Sequence, residues 1–133
     1  MPNPEPLLLI IEDDEAFART LSRSFERRGY RVLGATGHDE AAAILAQHNP
    51  GYAVVDLKLK GQTSGLACVQ LLHEHDPDML IVVLTGFASI ATAVEAIKLG
   101  AVQYLAKPSD ADDIEAAFGH VAGSAEIEVT NRS

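Results

Sequence analysis

Cysteine is almost missing from this chain. The 133 residues hold one thiol, Cys68, so no internal disulfide can form, which fits a reducing compartment. Positive charge is scarce too: ten lysines and arginines face nineteen aspartates and glutamates, for a formal net charge of -9. That balance argues against gripping a phosphate backbone unaided. Long apolar stretches are lacking as well. The run Leu7 to Ile11 is far too short to cross a bilayer, and no basic region precedes it. No internal repeat or low-complexity block occurs. The expectation is a cytoplasmic protein with no membrane contact and no direct nucleic-acid binding. What is present is an ordinary hydrophobic fraction, 47%, and a length suited to a single core.

Taken in order, Met1 to Pro6 carries three prolines and reads as an extended lead-in. Leu7 to Ile11 is a buried strand that stops at Glu12-Asp13-Asp14-Glu15. Two readings compete for these acids: negative charge at a helix N-terminus, or oxygen ligands for a metal ion. Phe17, Leu21 and Phe25 recur every four positions before Gly29, predicting a helix from about Asp14 to Arg28 with Asp14 as its cap. Tyr30 to Ala35 is a strand. Ala41, Ile44, Leu45 and His48 mark one face of a second helix. Tyr52 to Val55 is a third strand with Asp56 at its tip, although an aspartate there also fits a turn former or helix cap. Lys58 to Gly65 reads as a loop, and Leu66, Val69 and Leu72 as a third helix that ends before Pro77. Cys68 lies among their apolar neighbours and reads as a small buried hydrophobe. Met79 to Leu84 is a strand ending at Thr85-Gly86. Ile90, Ala93, Val94 and Ile97 make a fourth helix closed by Gly100, and Val102 to Ala106 is a strand ending at Lys107-Pro108. Ser109 and Asp112 have the spacing of a capping box for a last helix.

Strand and helix thus alternate five times, with connections that permit only parallel crossovers. The fold class is α/β, a five-stranded parallel sheet covered by helices on both sides. In such a sheet all strand ends of one kind share an edge, so Glu12, Asp13, Asp56, Thr85 and Lys107 should converge. Three carboxylates crowded together repel one another, and a hard divalent ion relieves that repulsion. Mg2+ suits the site because it accepts one or two carboxylates and keeps several waters. Asp56 could then act as a nucleophile toward phosphorus, with Lys107 and Thr85 neutralising charge on the transferred oxygens.

With these residues in place, the chain resembles the receiver domain of two-component response regulators over roughly Leu7 to Val121. The resemblance rests on the acidic pair Glu12-Asp13, then Asp56, Thr85, Tyr104 and Lys107-Pro108. The stretches Val82-Val83-Leu84-Thr85-Gly86, Ile90-Ala91-Thr92-Ala93-Val94, Gly100-Ala101 and Tyr104-Leu105 further resemble receivers of the RegA/PrrA redox regulator group. The resemblance implies a flavodoxin-like receiver fold with strand order 2-1-3-4-5 and five sandwiching helices. It makes residues 1–121 the receiver domain and 122–133 a linker or disordered tail. It implies a phosphoryl group taken from a sensor histidine kinase onto Asp56. Mg2+ would be held by Asp13, Asp56 and the main-chain carbonyl of Lys58, with Glu12 acting through water. It further implies a switch made of Thr85 and Tyr104, a cis Lys107-Pro108 bond, and an output face on the fourth helix, fifth strand and fifth helix, used for homodimerisation or for control of a transcriptional output domain.

Departures from the pattern are Glu12 in place of an aspartate, Lys60 where many receivers have proline, and a loop to Gly65 that is one residue longer. No helix-turn-helix follows, so the chain reads as an isolated receiver fragment or as a stand-alone receiver. Other readings remain open beside the signalling switch, which would not itself be an enzyme. One is a degenerate receiver working by phosphate-independent protein contacts. An aspartyl phosphatase is disfavoured by Lys58, where a second aspartate is usual, and a flavin-binding protein by the absence of a glycine- and hydroxyl-rich loop after the first strand.

Overall fold

The computed structural model describes residues 5–57, 65–86 and 90–119. Along the chain run β1 (Leu7–Ile11), α1 (Glu15–Arg27), β2 (Arg31–Ala35), α2 (His38–Leu45), β3 (Tyr52–Asp56), α3 (Gly65–His75), β4 (Leu80–Thr85), α4 (Ile90–Lys98), β5 (Gln103–Ala106) and α5 (Ala111–Ala117). All strand pairs are parallel, in the order β2-β1-β3-β4-β5. This is the expected architecture and order. The tail 122–133 lies outside the described residues.

Side chains alternate across a strand, so each buried strand feeds two cores at once. Leu9 and Ile11, Ala53 and Val55, and Ile81 and Val83 enter one cluster with Ala41, Leu45, Val69, Leu72, Ala93 and Ala96 of α2, α3 and α4. Leu8 and Ile10, Val54, and Val82 and Leu84 enter the other, with Leu21 and Phe25 of α1 and Ala111 and Ile114 of α5. Cys68 is fully buried in the first cluster, where burial pushes its thiol up to about 11 and makes it a packing residue.

The N-termini of α1 and α5 carry side-chain caps, with one shift from the expected positions. Asp14 caps α1 by accepting from the Phe17 N–H at 3.1 Å. The capping box of α5 is Asp110 with Asp113, one residue beyond the expected Ser109 and Asp112. Ser109 is already committed, because its hydroxyl donates to the Ala106 carbonyl at 2.7 Å. The second helix is also shorter than its apolar spacing predicts. It stops at Leu45, and the N–H groups of both Gln47 and His48 turn back to the Ile44 carbonyl. On the α1/α5 side Arg28, at the C-cap of α1, forks to Asp112 and Glu115, while the Tyr30 hydroxyl donates to Glu115 at 3.0 Å.

Gly100 closes α4 with φ of +127°. A Cβ there would lie 2.5 Å from the His73 ring of α3, so alanine meets both backbone strain and a collision. Gly100→Ala is expected to lower stability by at least about 2 kcal/mol, read as a drop in the urea midpoint with an unchanged slope.

Candidate functional site

The same alternation that fills the two cores assembles the polar residues at the carboxyl edge. Glu12 continues the series Leu8-Ile10, Asp56 the series Tyr52-Val54, and Lys107 follows Leu105, so all three fall on the side of the sheet covered by α1 and α5. Main-chain bonds pin their positions: the Glu12 N–H donates to Ala35 O at 2.9 Å and the Lys107 N–H to Thr85 O at 2.9 Å. The Lys107-Pro108 bond is cis, as expected.

The Lys107 ammonium donates to Asp56 Oδ2 at 3.1 Å and to Glu12 Oε1 at 3.3 Å. The other oxygen of Glu12 accepts from the Asp14 N–H at 3.0 Å. Glu12, Asp13 and Asp56 each offer a carboxylate oxygen within 4.8 Å of the others. Both Glu12 and Asp56 are buried. Burial, followed by the charge and hydrogen bonding of Asp56, lifts Glu12 to about 7 from an ordinary 4.5, against the opposing pull of the Asp14 N–H and of Lys107. For Lys107 burial acts downward, but its hydrogen bond to Asp56 and the charges of Asp56 and Glu12 outweigh it and leave the ammonium raised. The lysine is therefore charged, held between two buried acids.

Thr85 ends β4 one residue past Leu84, the register partner of Asp56. It is fully buried, and its hydroxyl donates to the Gly86 carbonyl at 3.1 Å. Tyr104 pairs with Val83 across β4 and β5 and packs, half-buried, against the α2/α3/α4 cluster. By strand parity Thr85 and Tyr104 share that side, opposite Glu12, Asp56 and Lys107. The fourth expected metal ligand, the Lys58 carbonyl, lies outside the described residues.

Two contributors went unread in the sequence. Gly65, assigned to a loop, opens α3 so close to β3 that a Cβ would sit 2.5 Å from Leu57 Cα and 2.6 Å from the Asp56 carbonyl oxygen. Phe17, assigned to the core face of α1, also places its ring 4.9 Å from the Lys107 ammonium. A glycine between a strand and a helix, and an aromatic four residues beyond an acidic pair, were the available signals.

Comparison with known proteins agrees with this fold. The response regulator receiver domain family matches residues 8–119. The photosynthetic apparatus regulatory protein RegA of Rhodovulum sulfidophilum is 50% identical over 114 residues, covering 86% of this chain and 62% of that protein. The acid tolerance regulatory protein ActR of Sinorhizobium medicae (strain WSM419) is 48% identical over 115 residues, covering 86% of this chain and 59% of that protein. The chain thus spans about three-fifths of the length of these relatives. Among solved structures, a response regulator protein from Burkholderia pseudomallei with a phosphorylated aspartic acid, calcium ion and citrate superposes with a TM-score of 0.81 at 44% identity, covering 96% of this chain and 75% of that one.

Proposed function

This chain belongs to the response regulator receiver domain family, and from that premise we propose that it accepts a phosphoryl group on Asp56 from a phosphohistidine of a sensor kinase. In that step an Asp56 oxygen forms a bond to phosphorus, the phosphorus–nitrogen bond of the donor breaks, and the leaving imidazole takes the electron pair. The observation that carries the reading is the Lys107 ammonium already placed 3.1 Å from Asp56 Oδ2, where it can neutralise charge on the incoming oxygens. Mass measurement after incubation with acetyl phosphate and Mg2+, for the parent chain and for Asp56→Asn, is the test.

The donor set fits a hard divalent cation: three carboxylates with oxygens within 4.8 Å and one ammonium among them. Asp13 and Asp56 would hold Mg2+ directly. Both Glu12 oxygens already accept a donor, which supports a role for Glu12 through water. When bound, the cation supplies positive charge to the phosphoryl oxygens.

The raised Glu12 value gives this site a pH signature. Because its folded pKa of about 7 lies above the ordinary 4.5, the stability this carboxyl lends the cation-free protein is full below about 4.5 and is lost as pH rises through about 7. Cation binding runs the other way, since ionised Glu12 attracts the cation and protonated Glu12 does not. Mg2+ is expected to bind several-fold more tightly at about pH 8 than at about pH 6, read by calorimetric titration; equal affinities would count against this electrostatic picture.

Output is proposed to run through Thr85 and Tyr104 to α4, β5 and α5. Thr85 would exchange its bond to the Gly86 carbonyl for one to the phosphoryl group, and the Tyr104 ring would turn further inward. The apolar side chains of Ile90, Val94 and Val102 stand 51%, 43% and 44% exposed on α4 and beside β5, which supports this face as a homodimer surface or as a contact for an output domain. The chain would then be a signalling switch of the cytoplasm, not a turnover enzyme.

A further inference from the structure

The ammonium of Lys107 has three donors on a flexible four-carbon stem, and two carboxylates account for only part of what surrounds it. Asp56 Oδ2 stands at 3.1 Å and Glu12 Oε1 at 3.3 Å. Another side is covered by the face of the Phe17 ring, with its centroid 4.9 Å away. We propose that Phe17 is a positioning residue that holds the Lys107 ammonium against Asp56 through its ring face and thereby sets how fast Asp56 takes up a phosphoryl group. The inference rests on the phosphoacceptor reading of Asp56 and deepens it.

Phe17 is itself held in place by the acids it serves. The Asp14 N–H donates to Glu12 Oε2 at 3.0 Å, and Asp14 Oδ1 accepts from the Phe17 N–H at 3.1 Å. With the ring over Lys107 and Lys107 bonded to Glu12, the contacts close into a circuit through the turn between β1 and α1. Phe17 also packs against the α1/α5 core, which leaves its ring little freedom to leave the lysine. A ring face attracts a cation through its quadrupole, and the attraction grows when water is kept away. The Lys107 side chain is 31% exposed, so the ring shields a charge that water would otherwise draw outward. An aliphatic side chain of similar bulk fills the space without that attraction.

The test uses the full chain with acetyl phosphate and Mg2+ and compares Phe17→Leu, Phe17→Tyr and a series of ring-fluorinated phenylalanines at position 17. Fluorination drains the negative ring face with little change of volume, so a packing role would not follow it. Phe17→Leu is expected to take up phosphate roughly three- to tenfold more slowly, Phe17→Tyr to keep the parent rate, and the fluorinated rings to slow stepwise at an unchanged urea midpoint. The ε-methylene protons of Lys107 in the cation-free protein are expected to be shifted upfield by the ring and to lose that shift in Phe17→Leu. Fluorinated variants that react at the parent rate would overturn the role of Phe17 and leave Asp56 as acceptor. A parent chain that takes up no phosphate would instead overturn the reading of Asp56, and the Lys107 resonance then decides whether the ring holds the ammonium.

Discussion

Asp56→Asn is expected to take up no measurable phosphoryl group, a loss on the order of a thousandfold or more, because a neutral amide cannot supply the anionic oxygen that attacks phosphorus. The substitution is close to isosteric, so circular dichroism and the urea slope should match the parent and separate lost chemistry from lost fold. It also has a second readout. Two of the influences that raise Glu12 to about 7 come from Asp56, its charge and its hydrogen bond, whereas the largest is burial. The Glu12 carboxyl in Asp56→Asn should therefore titrate below its parent value yet stay above 4.5, as followed by carbon NMR of the labelled side chain. Uptake by Asp56→Asn at the parent rate would move the acceptor elsewhere, whereas no uptake by either chain would leave a phosphate-independent interaction module as the better account.

Gly65→Val is expected to be the most damaging single substitution outside the acids. A Cβ at this position would sit 2.5 Å from Leu57 Cα and 2.6 Å from the Asp56 carbonyl oxygen. Both obstacles are main chain and cannot swing aside. Leu57 is further tied by its N–H to Leu84 O at 3.0 Å, so relief must come from moving α3 or the end of β3. Overpacking of this kind costs about 1–3 kcal/mol, and the upper end or beyond applies where the backbone is the obstacle. Because one of the displaced atoms belongs to the acceptor residue and the others to its chain neighbour Leu57, phosphate uptake by the fraction that folds should fall as well. A parent-like melting temperature with parent-like uptake would refute the close approach.

Much of this was legible in the chain because the physics involved is local and periodic. The run Leu7–Ile11 and the run before Asp56 announce buried parallel strands, and parallel strands bring their carboxyl ends to one edge. That alone gathers Glu12, Asp13, Asp56, Thr85 and Lys107. What escaped depends on approaches between distant segments. The spacing of Phe17, Leu21 and Phe25 identifies the inner face of α1 but not that its first member reaches past the sheet to a lysine 90 positions away. Gly65 read as loop because its reason lies in the backbone of β3. Ser109 was read as a cap since nothing local says that the Ala106 carbonyl claims its hydroxyl. On α4 the spacing of Ile90, Ala93, Val94 and Ile97 looks like one core stripe, yet of these four only Ala93 is buried, together with Ala96, and the larger side chains face outward.

The alternation of β3 and β4 has one more consequence. Asp56 belongs with Val54 on the layer roofed by α1 and α5, whereas Thr85 belongs with Val83 on the layer roofed by α2, α3 and α4. The sheet edge is therefore a bulkhead with the side chains of Glu12, Asp56 and Lys107 on one flank and those of Thr85 and Tyr104 on the other. A change at Asp56 that is to reach Thr85 must therefore cross from one layer to the other at this edge.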